Sequence, residues 1–259
     1  MSVPLNYGPS LGGGRILLSV LNVMDPSSPS FWSRSRGGTR GGESPVAIVW
    51  PCLLPVDAYV AAGREVEFPR PVCPSCSGPL VFWSGYWRHV REAGRCRKIF
   101  VPRLRCSPCR VTHALLPAFV LAWRLDVAEA VGAVIGQVAG GACGVRPAAA
   151  RAEVPYTTAR GWVRRFRRRA PELGVAFAAL AVELGGQAIV PAGQAGRFAL
   201  AAITAAFEAA AGLPGWLMAG LWRFASSVSG GRLIAANTGS PFLVAGRRRF
   251  MPPVPFAPA

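Results

Sequence analysis

Two cysteine pairs with the same internal spacing constrain the fold of this chain more than any other feature. The first pair is Cys73-Pro-Ser-Cys76 and the second is Cys106-Ser-Pro-Cys109. Four thiolates can complete a tetrahedral shell around one Zn²⁺ ion, and short CxxC motifs are the usual way in which small domains supply them. The 29 residues between the pairs exceed the common ribbon spacing, but lengthening a loop costs only a logarithmic increase in closure entropy. The sequence therefore predicts a structural zinc site.

The remaining cysteines and the two histidines have other expected roles. The alternative to a metal site is a set of reduced thiols or redox pairs, but a redox CxxC lies in a βαβ pattern, which neither pair has. His113 and His89 are possible replacement ligands, and for His113 we favour a hydrogen bond that braces the second pair. Cys52 and Cys143 lie in apolar runs and are expected to be small buried hydrophobic residues. Cys96 falls on a predicted strand.

The segment between the cysteine pairs has the pattern of a β-hairpin. Residues 79–90 and 95–105 are rich in β-branched and aromatic side chains, and Glu92-Ala93-Gly94 between them is typical of a turn. A zinc ribbon over residues 71–117 is therefore expected, in which the metal replaces a large core. Four aromatic residues interleave with the basic ones, and packing within the hairpin is favoured for them over base stacking: Phe82, Trp83, Tyr86 and Trp87.

A helical region is predicted after the ribbon, over residues 118–170. Asp126 and Glu129 have the D-x-x-E spacing of a helix start, and Gly140-Gly141 ends that helix. Its apolar residues recur at helical spacing. They are Val127, Val131, Val134, Ile135 and Val138.

Two further helices complete the expected helix-turn-helix unit. One covers about residues 147–153, and after the turn Val154-Pro155-Tyr156 the other runs from Thr157 or Thr158 to about Arg169. The buried stripe of this last helix is predicted to be Ala159, Trp162, Val163 and Phe166. Its outer surface then carries the predicted DNA contacts, which are Thr157, Thr158, Arg160, Arg164, Arg165, Arg167 and Arg168.

Charge favours an anionic partner for this helix over a plain solvated surface. Residues 145–170 hold eight basic side chains and one acidic one, and like charges at i, i+4 destabilise a helix. The whole chain of 259 residues has a formal net charge of +17, with one lysine among 29 basic residues. A chain this basic attracts polyanions, of which nucleic acid is the commonest.

Composition also indicates the cellular location to expect for the protein. The longest stretch without charge, residues 130–145, is shorter than the roughly 20 apolar residues of a spanning helix, so no membrane segment is expected. No secretory signal is evident at the N-terminus. Reduced, metal-bound cysteines then favour a bacterial-type cytoplasm, with nucleoid association if the protein binds DNA.

The rest of the chain is divided by composition. Residues 1–45 are rich in Gly, Ser and Pro and are expected to be disordered, with 46–70 as a short lead-in that contains an apolar stretch at residues 46–50 and a short helix near residues 57–62. Residues 171–225 have the apolar spacing of a helical packing region. Residues 226–259 are predicted to form a flexible basic tail. The expected fold is mostly α, with a small β zinc ribbon.

Three stretches resemble a bacterial family of uncharacterised proteins in which a zinc ribbon precedes a homeodomain-like helix-turn-helix. They are CPSCSGPL, RCRKIFVPRLRCSPCRVTHALLPAF and VPYTTARGWVRRFRRR. The family is similar in turn to the N-terminal DNA-binding part of insertion-sequence transposases. The resemblance implies that the four paired cysteines are ligands and that the helix from Thr157 is the recognition helix. The chain departs from it at Glu153, where related motifs place the turn glycine, and at Ala152, where they carry a larger apolar residue.

These observations favour a zinc-dependent DNA-binding protein, transposase-derived or regulatory, that binds duplex DNA and no small-molecule substrate. A complete transposase or nuclease is disfavoured, because metal-dependent phosphodiester cleavage needs clustered carboxylates and no aspartate follows the recognition helix. We therefore expect no enzymatic activity. The alternatives are a protein- or RNA-interaction module built on a zinc ribbon, and a transposase fragment that lacks its catalytic domain.

Overall fold

The chain combines a small mixed sheet with a larger helical part. The computed structural model describes residues 47–190, 193–213 and 215–235, of which about half are helical. This agrees with the expected mostly α fold with a small β part. Within that part of the chain there are four strands, in the order β1-β4-β3-β2, and seven α-helices.

The lead-in and the strands come first along the chain. Strand β1 spans Ile48–Trp50, within the apolar stretch at residues 46–50, and helix α1 spans Val56–Ala62, where the sequence predicts a short helix. A short 3₁₀ turn, Gly63–Glu65, follows. The remaining strands are β2 (Leu80–Glu92), β3 (Arg95–Cys106) and β4 (Thr112–Pro117).

The predicted hairpin between the cysteine pairs is confirmed as the β2–β3 pair. The two strands are antiparallel, from Leu80 opposite Cys106 to Glu92 opposite Arg95. The two turn residues, Ala93 and Gly94, both have positive φ (44° and 70°). Positive φ at both central residues belongs to the type I′ turn, whose twist matches that of the flanking strands. Strand β4 pairs antiparallel with β3 and parallel with β1, which completes the four-stranded sheet.

Six helices follow the sheet. Helices α2 (Ala128–Ala139), α3 (Val145–Arg151) and α4 (Tyr156–Glu183) correspond to the three helices expected from the sequence. Helices α5 (Ala195–Ala211), α6 (Trp216–Ala219) and α7 (Leu221–Val228) complete the helical part. The predicted apolar stripe of α2 is buried apart from the half-buried Val138.

The start of α2 differs from the expectation. The D-x-x-E pattern predicts that Asp126 caps this helix, but the helix begins at Ala128 and has no side-chain cap. Asp126 is buried and binds Arg91 of β2 instead, through Nε–Oδ1 and Nη2–Oδ2 distances of 2.6 and 3.1 Å. Glu129 pairs with Arg223 of α7. The two carboxylates therefore hold α2 against the hairpin and against α7.

Helix α4 is longer than predicted. It was expected to end at about Arg169, yet it continues through Pro171 to Glu183. Proline inside a helix removes one backbone hydrogen bond and costs about 3 kcal/mol. Here the stripe of buried residues continues on both sides of Pro171, with Leu173 and Phe177 fully buried against α5 and α7. That packing outweighs the lost hydrogen bond.

Two clusters of buried side chains hold the molecule together. The sheet core joins Trp50, Tyr59, Ile99, Leu104 and Phe119, and the Tyr59 hydroxyl donates to the Phe100 carbonyl at 3.0 Å. The helical core is built from helices α2 to α7, and its largest members are Trp162, Phe166, Phe177, Trp216 and Phe224. Arg223 links the two parts, since it donates to the carbonyls of Cys52 and Leu54.

The predicted flexible tail does not begin at residue 226. Ser226 and Ser229 are buried, and the Ser226 hydroxyl donates to the Val120 carbonyl. Leu233, Ile234 and Ala235 are also buried. Residues 226–235 form too short a segment to show a periodic apolar pattern, so their burial could not be predicted from the sequence. Residues 236–259 and the predicted disordered segment 1–45 lie outside the described residues.

Candidate metal centre and basic helix face

The four cysteines predicted as metal ligands are brought together. All of their sulfur atoms lie within 4.8 Å of one another. Cys76 Sγ is 3.3 Å from Cys106 Sγ, and Cys73 Sγ is 3.6 Å from Cys109 Sγ. A tetrahedral shell with Zn–S bonds of about 2.3 Å has sulfur atoms roughly 3.8 Å apart, whereas a disulfide requires about 2.05 Å. These spacings fit a metal ion held by four thiolates.

The two cysteine pairs have nearly identical backbone geometry. The N–H of Cys73 donates to the Gly78 carbonyl and the N–H of Ser77 donates back to the Cys73 carbonyl. In the second pair the N–H of Cys106 donates to Val111, and the N–H of Arg110 donates to Cys106. Each turn therefore places its two sulfur atoms on the same side, facing the other pair.

The residue that follows each pair adopts a left-handed conformation. Ser77 has φ 59° and Arg110 has φ 64°, a region that residues with a Cβ seldom adopt. Backbone strain of this kind persists where the surrounding structure fixes it. This relation between the two turns is not evident from the sequence, because neither position carries the glycine that usually signals positive φ.

Backbone N–H groups point at the sulfur atoms and alter their acidity. The Gly78 N–H, and then the neighbouring thiols of Cys106 and Cys109, lower the pKa of Cys76 to about 7. Burial opposes deprotonation of Cys73, but the N–H donors of Ser75 and Cys76, together with hydrogen bonds from His113 and Cys109, lower its pKa. Burial raises the pKa of Cys106 to about 12. A cation bound to the four sulfur atoms would supply the charge that keeps this buried thiol deprotonated.

His113 lies beside the sulfur cluster, fully buried on β4, with its Nε2 atom 3.4 Å from Cys73 Sγ. A hydrogen bond was expected for it, but to the second cysteine pair, whereas the structure places it against the first. β4 pairs with β3 so that His113 stands opposite Leu104, and this register directs the ring towards Cys73. His113 thus ties the first cysteine turn to the strand that follows the second.

Gly78 is required by the close approach of the two turns. A Cβ atom at this position would lie 2.8 Å from Pro108 Cγ and 3.3 Å from Cys106 Sγ. Contacts under 3.0 Å force a displacement, so any larger residue would push the second turn away from the first. The glycine therefore sets the distance between the two cysteine pairs.

The remaining cysteines lie elsewhere. Cys52 is fully buried in the sheet core, as predicted, and burial raises its pKa to about 12. Cys143 is only half-buried, near Gln137 and Arg151, so it is less enclosed than expected. Cys96 is exposed on β3. None of the three belongs to the sulfur cluster.

The seven residues predicted to contact DNA occupy the first half of α4. Thr157, Arg160, Arg164, Arg167 and Arg168 are exposed, while Thr158 and Arg165 are half-buried. The predicted stripe of Ala159, Trp162, Val163 and Phe166 is buried, as expected. At 100° per residue, Thr157, Arg164 and Arg168 fall within about 20° of one line, opposite Phe166. We call Thr157, Arg160, Arg164, Arg165, Arg167 and Arg168 the arginine face.

The arginine face has no compensating carboxylates within the described part of the chain. The four ion pairs found there are Arg91–Asp126, Arg97–Asp57, Arg169–Glu172 and Arg223–Glu129. None involves an arginine of the arginine face. Burial lowers the pKa of Arg124, and the nearby charge of Arg165 lowers it further. Positive charge is therefore concentrated around this end of α4.

The turn between α3 and α4 is held by its backbone. The Val154 N–H donates to Ala149 and the Glu153 N–H to Ala150, an arrangement close to the Schellman ending of a helix. Glu153 sits where such endings place glycine, and it has φ 53°. The tip of the β2–β3 hairpin lies against this turn, since a Cβ on Gly94 would be 3.6 Å from Glu153 Oε2.

The four hairpin aromatics are packed less completely than expected. Phe82, Trp83, Tyr86 and Trp87 are all exposed, Phe82 and Trp83 by more than half of their surface. Two of them still contact β3 within the hairpin: Trp87 lies beside Phe100 and Lys98, and the Arg105 guanidinium lies over the Trp83 ring. Packing within the hairpin is therefore confirmed in part, and the rings stay exposed because β2 is an edge strand of the sheet.

Comparison with known proteins gives one match. A family model described as a domain of unknown function (DUF6431) matches residues 73–151, under a third of the chain. No curated protein and no solved structure matches. The matched segment begins at Cys73 and ends with α3, so it contains the four clustered cysteines and stops before the arginine face. Among the described residues, no helix has both the length and the apolar character needed to cross a membrane.

Proposed function

We propose that this chain is a zinc-dependent DNA-binding protein that docks the arginine face of α4 against duplex DNA. The observation that carries the proposal is a helix whose outer surface holds five arginines without carboxylate partners among the described residues. Like charges spaced along one helix oppose its folding unless an anion compensates them. A phosphodiester backbone provides such compensation.

The dimensions of the helix suit the major groove. The exposed segment from Thr157 to Arg168 is about 18 Å long at 1.5 Å per residue. A major groove about 12 Å wide admits one α-helix. In this arrangement α3, the turn at Glu153 and α4 act as a helix-turn-helix. Arginines contact phosphates, and Thr157, Arg160 and Arg164 are the side chains placed to reach base edges.

Zinc is the metal that we propose for the sulfur cluster. Four thiolates in tetrahedral arrangement are the donor set of structural zinc sites, and they leave no open position for water. The metal would hold the base of the β2–β3 hairpin, whose tip lies near the Glu153 side chain in the turn before α4. We propose no catalytic role, since Glu172, Glu183 and Glu208 are the only acidic residues that follow the arginine face in the sequence.

Salt dependence tests the DNA-binding proposal. If six to eight phosphates are neutralised, the logarithm of the binding constant for random duplex DNA should fall with log salt at a slope of roughly −5 to −7. Fluorescence anisotropy with the zinc-loaded full chain measures this slope. A slope near zero would reject the proposal. A protein partner that survives nuclease treatment of a lysate would instead favour the alternative of an interaction module.

A further inference from the structure

The β2–β3 hairpin displays a second surface that the arginine face does not use. Trp83 is 58% exposed and Tyr86 is 39% exposed, although both belong to the central part of a 13-residue strand. Soluble proteins seldom leave several large aromatic side chains exposed together unless the surface binds something.

The strand register places aromatic and basic side chains on the same face. Val81 stands opposite Arg105, Ser84 opposite Arg103 and Tyr86 opposite Val101. Directly opposed residues in an antiparallel pair point to the same side of the sheet. On the other side of β3, Thr112 and Ala114 of β4 oppose Arg105 and Arg103 and are only half-buried. An open face thus has two arginines on its central strand.

Trp83 is held against this face by a β-bulge. The register shifts between Phe82 and Ser84, so Trp83 is the extra residue of β2. The guanidinium of Arg105 lies 4.5 Å from the centre of the Trp83 ring. This cation–π contact orients the ring while leaving more than half of the side chain accessible. We call Val81, Trp83, Tyr86, Arg103 and Arg105 the hairpin patch.

The two arginines of the hairpin patch carry uncompensated positive charge. Strands β2 and β3 hold seven basic side chains, of which Arg91 and Arg97 pair with carboxylates, whereas Arg103 and Arg105 form no ion pair among the described residues. A ligand for this surface should therefore be anionic and should offer flat apolar groups to the aromatic rings.

We propose that the hairpin patch binds single-stranded nucleic acid, with unpaired bases stacked on Trp83 and Tyr86 and with phosphates near Arg103 and Arg105. Aromatic platforms combined with cationic grooves are the common means of binding single strands without sequence preference. Bases in a duplex are stacked on each other and cannot reach such rings. The hairpin patch and the arginine face of α4 are separate surfaces, so either can fail without the other.

A second copy of the chain fits the hairpin patch less well. A two-fold symmetric contact would place the same patch of each copy face to face, which brings the Arg103 and Arg105 side chains of both copies together. The bulge at Trp83 also distorts the edge of β2, a feature that discourages pairing with another strand. Charge complementarity therefore favours nucleic acid.

The test compares oligonucleotides of about 15 nucleotides, dT and U single strands and a duplex, on the zinc-loaded full chain. The double substitution Trp83→Ala/Tyr86→Ala should weaken single-strand binding at least tenfold and change duplex binding less than twofold. Arg164→Ala/Arg168→Ala should show the reverse pattern. Met218→Ala, which removes an apolar side chain that is 80% exposed on α6, should change neither.

Several results would overturn the proposal. One is single-strand affinity that is unchanged by Trp83→Ala/Tyr86→Ala, and another is an equal loss for single strand and duplex. A shift in sedimentation that shows loss of a dimer, without loss of single-strand affinity, would assign the hairpin patch to a second copy instead. Trp83→Phe, which keeps a ring, should retain single-strand affinity to within about threefold, and its failure to do so would reject stacking. Binding of the dT and the U strand alike, or of either one alone, supports the proposal.

Discussion

The sulfur cluster and the arginine face need ligands of opposite charge: a cation would neutralise the first and an anion the second. At the cluster, four thiol groups converge within 4.8 Å around a space that suits a cation. On α4, five arginines spread along one surface without carboxylate partners among the described residues. Each group of side chains is costly for the folded chain alone. In both regions, the sign of the uncompensated charge indicates the class of ligand more directly than the fold does.

The two regions also differ in how they depend on the rest of the molecule. The cluster forms from two turns at the base of a hairpin, and His113 and Gly78 fix their separation. The arginine face belongs to a long helix that the helical core already holds through Trp162, Phe166 and Leu173. Loss of the cluster's ligand should therefore disturb structure, whereas loss of the helix's ligand should disturb only binding.

Removal of the zinc ion that we propose for the sulfur cluster should give the largest effect. Structural zinc contributes roughly 10–16 kcal/mol of apparent folding free energy in zinc-finger peptides, so a chelator or Cys73→Ser should unfold the sheet region. We expect hydrogen exchange to rise across β2–β4 while α4 and α5 stay protected. Cys96→Ser, which alters an exposed thiol outside the cluster, is the matched control. Full protection of β2–β4 in the metal-free protein would contradict the account.

Removal of charge from the arginine face should weaken DNA binding without loss of stability. For Arg164→Ala/Arg168→Ala, two lost charge-assisted contacts are worth about 3 kcal/mol, roughly a 150-fold loss of duplex affinity at fixed salt. The melting temperature should not fall, because the repulsion between arginines is reduced. Arg64→Ala/Arg70→Ala removes the same charge from exposed positions before β2 and should have a much smaller effect on affinity.

The ion pair between Arg91 and Asp126 joins the hairpin to the start of α2, and its loss should have an intermediate effect. Asp126 is buried and accepts two hydrogen bonds from Arg91. Asp126→Asn should lower the free energy of unfolding by about 1–2 kcal/mol, since a charge-assisted bond becomes a neutral one. Denaturant unfolding measures the loss, which should be smaller in Asp57→Asn because Asp57 is exposed. If Asp126→Asn and Asp57→Asn lowered the free energy of unfolding equally, the Arg91–Asp126 pair would not have the structural role assigned to it.

A substitution in the turn before α4 should give the smallest change in the free energy of unfolding, and this change should be stabilising. Glu153 adopts φ 53°, a conformation that costs a residue with a Cβ about 1 kcal/mol relative to glycine. Glu153→Gly should therefore stabilise the protein by about that amount. Glu153→Ala retains the Cβ and should not stabilise it. A destabilised Glu153→Gly variant would show that the glutamate side chain contributes more than the strain costs.

The sequence predicted local elements better than their limits. Paired cysteines, β-branched runs and 3.6-residue periodicity are local signals, and the hairpin, α2, α3 and the buried side of α4 all follow from them. The continuation of α4 through Pro171 depends on packing against α5 and α7, which no local pattern contains. The same holds for residues 226–235, where burial comes from contacts with segments about 100 residues away, such as Ser226 with Val120.

For a related reason, the sequence predicted the grouping of the four cysteines but not the exposed aromatic residues of the hairpin patch. Identical CxxC spacing was enough to group the four cysteines, because few other arrangements place four thiols so regularly. The exposure of Trp83 and Tyr86 could not be predicted, since it depends on β2 being the edge of the sheet. Strand order is a long-range property. Composition alone made packing the simpler interpretation for these aromatic side chains.

The salt dependence of duplex binding in Arg167→Ala/Arg168→Ala, which removes two exposed arginines assigned to phosphate contacts, decides whether α4 docks on DNA. Each arginine that contacts a phosphate adds about one to the magnitude of the slope of log affinity against log salt. The account predicts that this variant has a slope about two smaller in magnitude than the unmodified zinc-loaded chain, while Arg64→Ala/Arg70→Ala keeps the original slope. Identical slopes in all three proteins would show that the arginine face of α4 does not bind the DNA backbone.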